Sequence, residues 1–255
     1  MRLRGKIAIV TGASRGIGAG IAYELAKEGA KVTLAYTSAS SERLVDELCS
    51  KIAKLNNGSL AAKVKADLRE TGSPERILTA TLDAFPTTDR KIDILVNNAG
   101  VPLCKDLSDT SREDIAAVLD INLNGTILMT KAVIPYLRAP GRIINIGSTA
   151  ARLSASGFSV YSASKAAVEG FTRGLAHELG SWGHTVNVIE PGAVETDMFQ
   201  AVPEDIATAI KQRTALGNRL GMPEDIAGVV AFLAEERSGW VTGQCISVSG
   251  GLTMN

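Results

Sequence analysis

Aromatic residues make up only 4% of this 255-residue chain, cysteines number three, and the formal net charge is zero. Each shortage excludes something. Lys+Arg and Asp+Glu both stand at 27, so no excess of one sign is present to hold a nucleic acid or a membrane by net charge. Cys49, Cys104 and Cys245 are odd in number and far apart, which points to a reduced, cytoplasmic setting rather than a disulfide framework. No apolar run approaches the length of a membrane helix. No stretch of Pro, Gly or Ser divides the chain, and no repeat or low-complexity tract interrupts it. Met1-Arg2-Leu3-Arg4-Gly5 reaches the first strand at once and leaves no room for a cleaved signal. The expectation is one α/β domain over residues 1–255, with a substantial core and without nucleic acid, membrane or metal as partners.

What the chain does have is alternation. Short apolar runs suit strands at Ile7–Val10, Val32–Tyr36, Leu60–Lys65, Ile92–Val96, Ile143–Ile146, Val186–Ile189 and Ile246–Val248. Longer amphipathic segments suit helices at Gly16–Glu28, Glu42–Leu55, Pro74–Phe85, Ser111–Leu137, Ser159–Gly180 and Pro223–Leu233. Such alternation predicts a single doubly wound parallel sheet of about seven strands, with helices on both faces. Ligands of such sheets bind at the carboxyl ends of the strands. Gly12, Asp67, Asn98, Ser148 and Pro191 all follow strands, so the polar motifs share one edge.

Two motifs carry chemistry. Thr11-Gly12-Ala13-Ser14-Arg15-Gly16-Ile17-Gly18 lies between the first strand and the first helix. Its glycines permit a tight turn and let the backbone approach a phosphate, which the helix N-terminus then faces. The spacing is Gly-x-x-x-Gly-x-Gly and not the Gly-x-Gly-x-x-Gly dinucleotide fingerprint. The second motif is Tyr161 with Lys165, one helical turn apart, and Ser148 upstream at the end of a strand. A cation one turn away favours the phenolate and lowers the pKa of the phenol from its ordinary value of about 10. Such a phenol exchanges a proton with a carbonyl or alcohol, and Ser148 offers a hydroxyl to the same oxygen.

These blocks, with Asn97-Asn98-Ala99-Gly100, Asn122 before Gly125, and Pro191-Gly192 followed by Thr196, resemble the short-chain dehydrogenase/reductase family over nearly the whole chain. Glu195-Thr196-Asp197-Met198-Phe199 and Gly239-Trp240-Val241-Thr242-Gly243 are similar to its NADPH-dependent ketoreductases, which include 3-oxoacyl-carrier-protein reductases and fungal hydroxynaphthalene and polyketide reductases. The resemblance implies a Rossmann-type sheet and a catalytic set of Asn122, Ser148, Tyr161 and Lys165. In that set Tyr161 is the acid, Ser148 binds the carbonyl oxygen, and Lys165 lowers the Tyr161 pKa and holds the nicotinamide ribose. Asn122 would distort a long helix and hold a water; its neighbour Asn124 is the competing candidate. The implied cofactor contacts are Gly12, Ser14, Arg15, Gly16, Ile17 and Gly18 in the turn, then Tyr36, Thr37 and Ser38 after the second strand. Asp67 would meet the adenine amino group with Leu68 beside it, and Asn98, Ala99 and Gly100 would run along the adenosine ribose. Pro191, Gly192, Val194 and Thr196 would hold the nicotinamide side, together with Tyr161 and Lys165.

The second strand ends Leu34-Ala35-Tyr36-Thr37-Ser38, without the carboxylate that accepts hydrogen bonds from the ribose of NAD. A 2′-phosphate meets no repulsion there. Thr37, Ser38 and Ser40 could donate hydroxyls to it, and Arg15 a charged fork, with Arg43 as a second candidate on a solvated helix face. The expected cofactor is NADP(H). Glu190, before Pro191, departs from the family pattern; it would tune substrate charge or face a partner subunit. Residues 193–218, with Met198, Phe199, Val202 and Ile206, form the expected substrate lid with a short helix of its own. Its apolar side chains suit a hydrophobic or aromatic substrate, or merely pack the lid onto the body. Three readings stay open: a ketoreductase, an alcohol or polyol dehydrogenase using the same residues, and a non-catalytic NADP-binding sensor. Helices Ser111–Leu137 and Ser159–Gly180 carry apolar residues on more than one face, which calls for a second contact. In proteins this chain resembles they pair with their copies, and the last strand with tail 251–255 forms another contact, giving a homotetramer; the alternative is a monomer.

Overall fold

β1 (Ile7–Thr11) is buried along its whole length and divides its side chains between two cores. Ala8 and Val10 enter one apolar cluster, Ile7 and Ile9 the other, as the period of two along a strand requires. After it come α1 (Gly16–Lys27), β2 (Lys31–Tyr36), α2 (Glu42–Ala53), β3 (Leu60–Lys65), α3 (Ser73–Ala84) and β4 (Ile92–Asn97). Then follow α4 (Arg112–Leu119), a π-helical segment (Asp120–Gly125), α5 (Thr126–Val133), β5 (Leu137–Ile146), α6 (Ser159–Gly180) and β6 (Thr185–Pro191). The chain ends with α7 (Asp197–Gln200), α8 (Glu204–Arg213), α9 (Pro223–Ala234) and β7 (Cys245–Val248). The computed structural model describes residues 1–200, 202 and 204–254. Residues 201 and 203 of the expected lid and Asn255 of the expected contact tail lie outside the described residues.

The strands pair in parallel in the order β3-β2-β1-β4-β5-β6-β7. Residues of α1, α2 and α9 pack on one face of the sheet and those of α3, α5 and α6 on the other. Each Val, Leu or Ile buried in these layers contributes about 1.5–3 kcal/mol. The winding reverses between β1 and β4, and the crevice beyond the carboxyl ends of those strands is where such a fold binds ligands.

The expected single helix from Ser111 to Leu137 is broken twice. It opens on a capping box in which Ser111 Oγ accepts from Asp114 N (3.1 Å) and Asp114 Oδ2 accepts from Ser111 N (3.0 Å). The ladder then widens over Asp120–Gly125. The hydroxyls of Thr126 and Thr130 donate back to the carbonyls of Asn122 (3.0 Å) and Thr126 (2.7 Å), a bonding pattern that bends helices. The second break follows from Pro135, which lacks the N–H needed to continue. Leu137 therefore leaves the helix and pairs with Ile92, so β5 starts well before the expected Ile143.

Taken together, Arg112–Tyr136 does reach the length and apolarity of a membrane span, contrary to the sequence expectation. Its Met129 and Val133 are nevertheless buried in the core beneath the sheet, the placement of a core helix. The segment after β6 holds two helices, α7 and α8, where one was expected. Met198 and Ile206 are 48% and 49% exposed, so these two do not simply pack the segment down; Phe199 and Val202 are partly buried.

Candidate active site

The ends of β1, β4, β5 and β6 meet at one edge of the sheet, and a few polar groups set their spacing. Thr11, the last residue of β1, is 1% exposed. Its Oγ1 accepts from the backbone N–H groups of both Asn98 and Ala99, each at 3.0 Å. Asn98 Nδ2 returns two bonds, to Thr11 O (3.0 Å) and Gly12 O (3.1 Å). The turn after β1 is thus locked to the end of β4. Gly18 has to be glycine, because a Cβ there would lie 2.2 Å from Gly12 O and 2.4 Å from Asn98 Nδ2. Gly12 has φ +64°, and its Cβ would meet Ala99 Cα at 2.9 Å. α1 begins with no side chain capping its first amides, so those N–H groups face the crevice as an anion cradle. The crevice wall includes Thr11, Gly12, Thr37, Asp67, Leu68 and Ala99.

The remaining predicted cofactor positions divide. Thr37 is exposed, and Ser38 shares hydrogen bonds with Ser40 (2.8 Å) and Ser41 (3.0 Å). Tyr36 is buried within the apolar core. Asp67 is bound by Arg69 Nε at 3.0 Å, and that guanidinium holds its carboxyl below the ordinary carboxylate range. Arg15 reaches not toward β2 but to Asp197 of α7, Nη1 to Oδ2 at 3.0 Å, with both side chains exposed. Arg43 pairs with Glu47 along α2, the solvated face expected for it. On the other side of the crevice, a Cβ at Gly192 would sit 2.9 Å from Ser249 Cα, and one at Gly16 would sit 3.1 Å from Thr196 Cγ2. Val194 is buried in a bridge to Gly221, and Thr196 Oγ1 donates to its carbonyl at 3.3 Å. The segment after β6 therefore lies over the glycine-rich turn. Ser14, Ile17 and Gly100 are partly exposed, and Pro191 is buried at the end of β6.

α6 brings Tyr161 and Lys165 to the end of β5. Lys165 is 5% exposed; its Nζ donates to Ile146 O at 2.9 Å and stands 5.9 Å from the Tyr161 ring centroid. It also lies 3.4 Å from where a Cβ of Gly100 would be. Burial lowers its pKa to about 8. The Tyr161 phenol moves in the direction opposite to the one expected. Burial pushes its pKa above the ordinary value, and only the hydrogen bond of Ser148 opposes this. The sequence shows the cation one turn away; it does not show that both groups are desolvated, and desolvation disfavours the charged form of each. Ser148 Oγ accepts from Ala150 N (3.1 Å), which fixes the turn that presents it.

Asn122, rather than Asn124, is the residue at the site. It is 1% exposed, accepts from Val101 N (2.8 Å), and donates to Val101 O (3.0 Å) and Ser164 Oγ (3.1 Å). Both amide hydrogens are in use, which leaves one lone pair of Oδ1 for the water expected of this side chain. Asn124 points away to Asp120 Oδ1 at 2.9 Å. Glu190 is 1% exposed, buried within the chain rather than set on its surface, and is held by Arg152, as is Glu169 of α6. Sequence reasoning missed Thr11, Ser164, Arg152 and Glu169. Ser164, three residues past Tyr161, had a spacing that could have flagged it; the Arg152 contacts had none.

Residues 12–253 match the family model described as enoyl-(acyl carrier protein) reductase. The chain belongs to the short-chain dehydrogenase/reductase family. Its similarity to dehydrogenase OXI1 of Cochliobolus heterostrophus is 45% identity over 229 residues, 88% of this chain and 97% of that protein. Identity to the 3-oxoacyl-[acyl-carrier-protein] reductase of a Synechocystis strain is 41%, covering 99% of this chain and 98% of that one. Among solved structures, the angucycline C-6 ketoreductase LanV with bound NADP superposes with a TM-score of 0.91 at 33% identity, covering 98% of this chain and 96% of that chain. As a short-chain dehydrogenase/reductase the protein is an oxidoreductase, and its seven-stranded parallel sheet is that of the family.

Proposed function

We propose that this short-chain dehydrogenase/reductase is an NADPH-dependent ketoreductase. It reduces a ketone of small to medium size to a secondary alcohol, on a hydrophobic or aromatic polyketide-like or β-keto substrate. The observation that carries the reading is the meeting of Ser148, Tyr161 and Lys165 at one strand end, with the phenol held in its protonated form by burial. Similarity to LanV, a ketoreductase with NADP, and to a 3-oxoacyl-[acyl-carrier-protein] reductase supports both the reaction and the cofactor.

The chain fits a dinucleotide phosphate. Gly12 and Gly18 let the turn pack tightly against Asn98 and Ala99, the first amides of α1 are uncapped, and β2 ends without a carboxylate. Thr37, Ser38 and Arg15 would hold the 2′-phosphate, Arg15 on release from Asp197. When bound, NADPH supplies a hydride to the carbonyl carbon. The residues do the rest. Ser148 donates a hydrogen bond to the substrate oxygen and stabilises the charge developing there. Tyr161 delivers the proton to that oxygen. Lys165, held on Ile146 O, keeps its ammonium beside the phenol below about pH 8. Asn122 braces the wall through Val101 and Ser164.

The Tyr161 phenol, pushed up by burial, is protonated near neutral pH as a donor to the ketone oxygen must be; the direction of reaction follows the cellular cofactor ratio, and an alcohol dehydrogenase using the same residues is the alternative reading. Tyr161→Phe should lower ketone reduction by about 10²–10⁴-fold with little change in NADPH affinity; near-wild-type reduction by that variant would sink the assignment. The exposed residues of the segment after β6, Met198 and Ile206, supply apolar surface for the substrate. All three cysteines are free, in keeping with a reduced, cytoplasmic setting. The assembly is read as a homotetramer. α6 leaves Ala163, Ala166, Gly170 and Gly174 exposed along one side, Leu128 of α5 is 46% exposed, and Trp240 before β7 is 99% exposed. Apolar surface of this kind wants a partner. Sedimentation giving a single species at the monomer mass of 26.7 kDa would refute it.

A further inference from the structure

Three segments of the site meet behind Ser148 in a buried cluster of charge. Arg152 follows the turn that carries Ser148, Glu169 lies on α6 one turn past Lys165, and Glu190 is the residue before Pro191 on β6. Arg152 Nη2 donates to Glu169 Oε2 at 2.9 Å, and its Nε donates to Glu190 Oε1 at 3.4 Å. Arg173, a further turn along α6, stands 3.5 Å from the same Glu169 oxygen. Glu169 and Glu190 are 6% and 1% exposed. The other oxygen of each, Glu169 Oε1 and Glu190 Oε2, is buried without a partner. Glu169, Glu190 and Cys245 of β7 each place one atom within 4.8 Å of the others. Arg152, 42% exposed, and Arg173, 55% exposed, offset part of the repulsion between the two carboxylates, but two buried oxygens left without a partner remain a cost unless something joins them.

We propose that Glu169 and Glu190 share one proton at neutral pH, and that the acid pair gripped by Arg152 is a positioning device that holds the Ser148 turn against α6 and the end of β6. The proposal rests on the reading of Ser148, Tyr161 and Lys165 as the catalytic set. A proton on Glu190, donated to Glu169, supplies both orphaned atoms with one bond. Two guanidiniums, those of Arg152 and Arg173, face Glu169 Oε2, so the proton of the pair belongs on the Glu190 side. Glu190 is the protonated one: burial raises its pKa, the Glu169 carboxylate raises it further, and Arg152 only partly opposes them. A metal ion is the rival occupant. Arg152 from the turn after β5 and Arg173 from α6 already bring two positive charges, and burial pushes the Cys245 thiol up, away from the thiolate a metal needs. Lys165, also on α6, is turned to Ile146 O. Position reaches Ser148 through close packing. A Cβ at Gly147 would lie 2.6 Å from Val188 Cγ1 and 3.6 Å from Glu190 Cγ, and Gly147 N donates to Ile189 O at 2.8 Å. A shift of Glu190 therefore moves the residue next to the catalytic hydroxyl.

Glu190→Gln keeps a donor where the proposal puts a proton, and Glu190→Ala removes it. The alanine variant should lose about tenfold in kcat, the equivalent of one charge-assisted hydrogen bond, and the glutamine variant should recover most of that loss. The melting temperature of the wild type should fall as pH rises above the ordinary carboxyl value of 4.5, because a carboxyl whose folded pKa is raised loses its contribution as pH passes through that pKa. Glu190→Gln, with no proton to lose, should lack that part of the slope. An infrared difference spectrum, wild type minus Glu190→Gln, should show a protonated carboxyl at pH 7. Absence of that band, a glutamine variant as impaired as the alanine one, or a stoichiometric divalent metal in native mass spectra that Glu190→Gln abolishes would each overturn the proposal. A wild type that reduces no ketone would instead refute the reading of the site, and the infrared band and melting slope would still decide the shared proton.

Discussion

Lys165→Met should make the protein more stable at neutral pH while removing its activity. Lys165 is 5% exposed, and burial brings its pKa from 10.5 to about 8. At about 1.36 kcal/mol per pKa unit, that displacement corresponds to roughly 3 kcal/mol of differential interaction against the ammonium. The sign follows from proton counting. The unfolded chain holds the Lys165 proton more tightly than the folded one does, so stability rises as pH climbs from about 8 to 10.5, and below 8 the cost stands in full. Methionine has an unbranched stem that fits the same channel without charge. Against the gain stands the loss of the 2.9 Å bond from Nζ to Ile146 O, worth about 1–2 kcal/mol. The balance at pH 7 is a gain of about 1–2 kcal/mol, or a rise of roughly 2–8 °C in Tm for a chain of this size. Thermal melts of both proteins between pH 7 and 10.5, beside ketone-reduction assays, read both halves. The gap in Tm should shrink as pH rises, and activity should be lost throughout. A variant that melts below the wild type at pH 7, or a gap that is the same at both ends of the range, refutes the reasoning.

Thr37→Asp should set a carboxylate against the 2′-phosphate and shift preference toward NADH, with like charges in contact costing about 1–3 kcal/mol in NADPH binding; a wild type that already uses both cofactors equally contradicts the reading of β2. Thr11→Val removes the acceptor of two backbone N–H groups and should cost about 2–4 kcal/mol in urea unfolding, while Thr11→Ser should cost far less; equal losses would make the role one of packing alone. Wild-type reduction should decline as pH rises through about 8, where Lys165 gives up its proton, and a profile flat to pH 10 would leave the ammonium without a part in turnover.

What the chain disclosed by itself was local, and the physics explains where it stopped. β1 was legible because a strand buried on both faces is a near-continuous apolar run, and β4 was too, its run interrupted only by Asp93, whose carboxylate accepts from Ile7 N. The Tyr161–Lys165 pair was legible because a helix converts a spacing of four into contact on one face. The start of β5 was not, since Leu137 is a strand residue only by virtue of Ile92, far away in the chain. Arg15 shows the same limit. Its place in the turn suggested a phosphate ligand, yet its partner is Asp197, 182 residues on. The sign of the Tyr161 shift went wrong for a related reason. A spacing reports that a cation is near, whereas a pKa depends on how much water both groups have lost, and that is decided by β5, α6 and the loop at Gly100 closing together. For this site the consequence is specific. The phenol is kept as an acid by its surroundings more than it is tuned by its neighbour, so the chemistry assigned to Tyr161 depends on packing that lies outside the motif that names it.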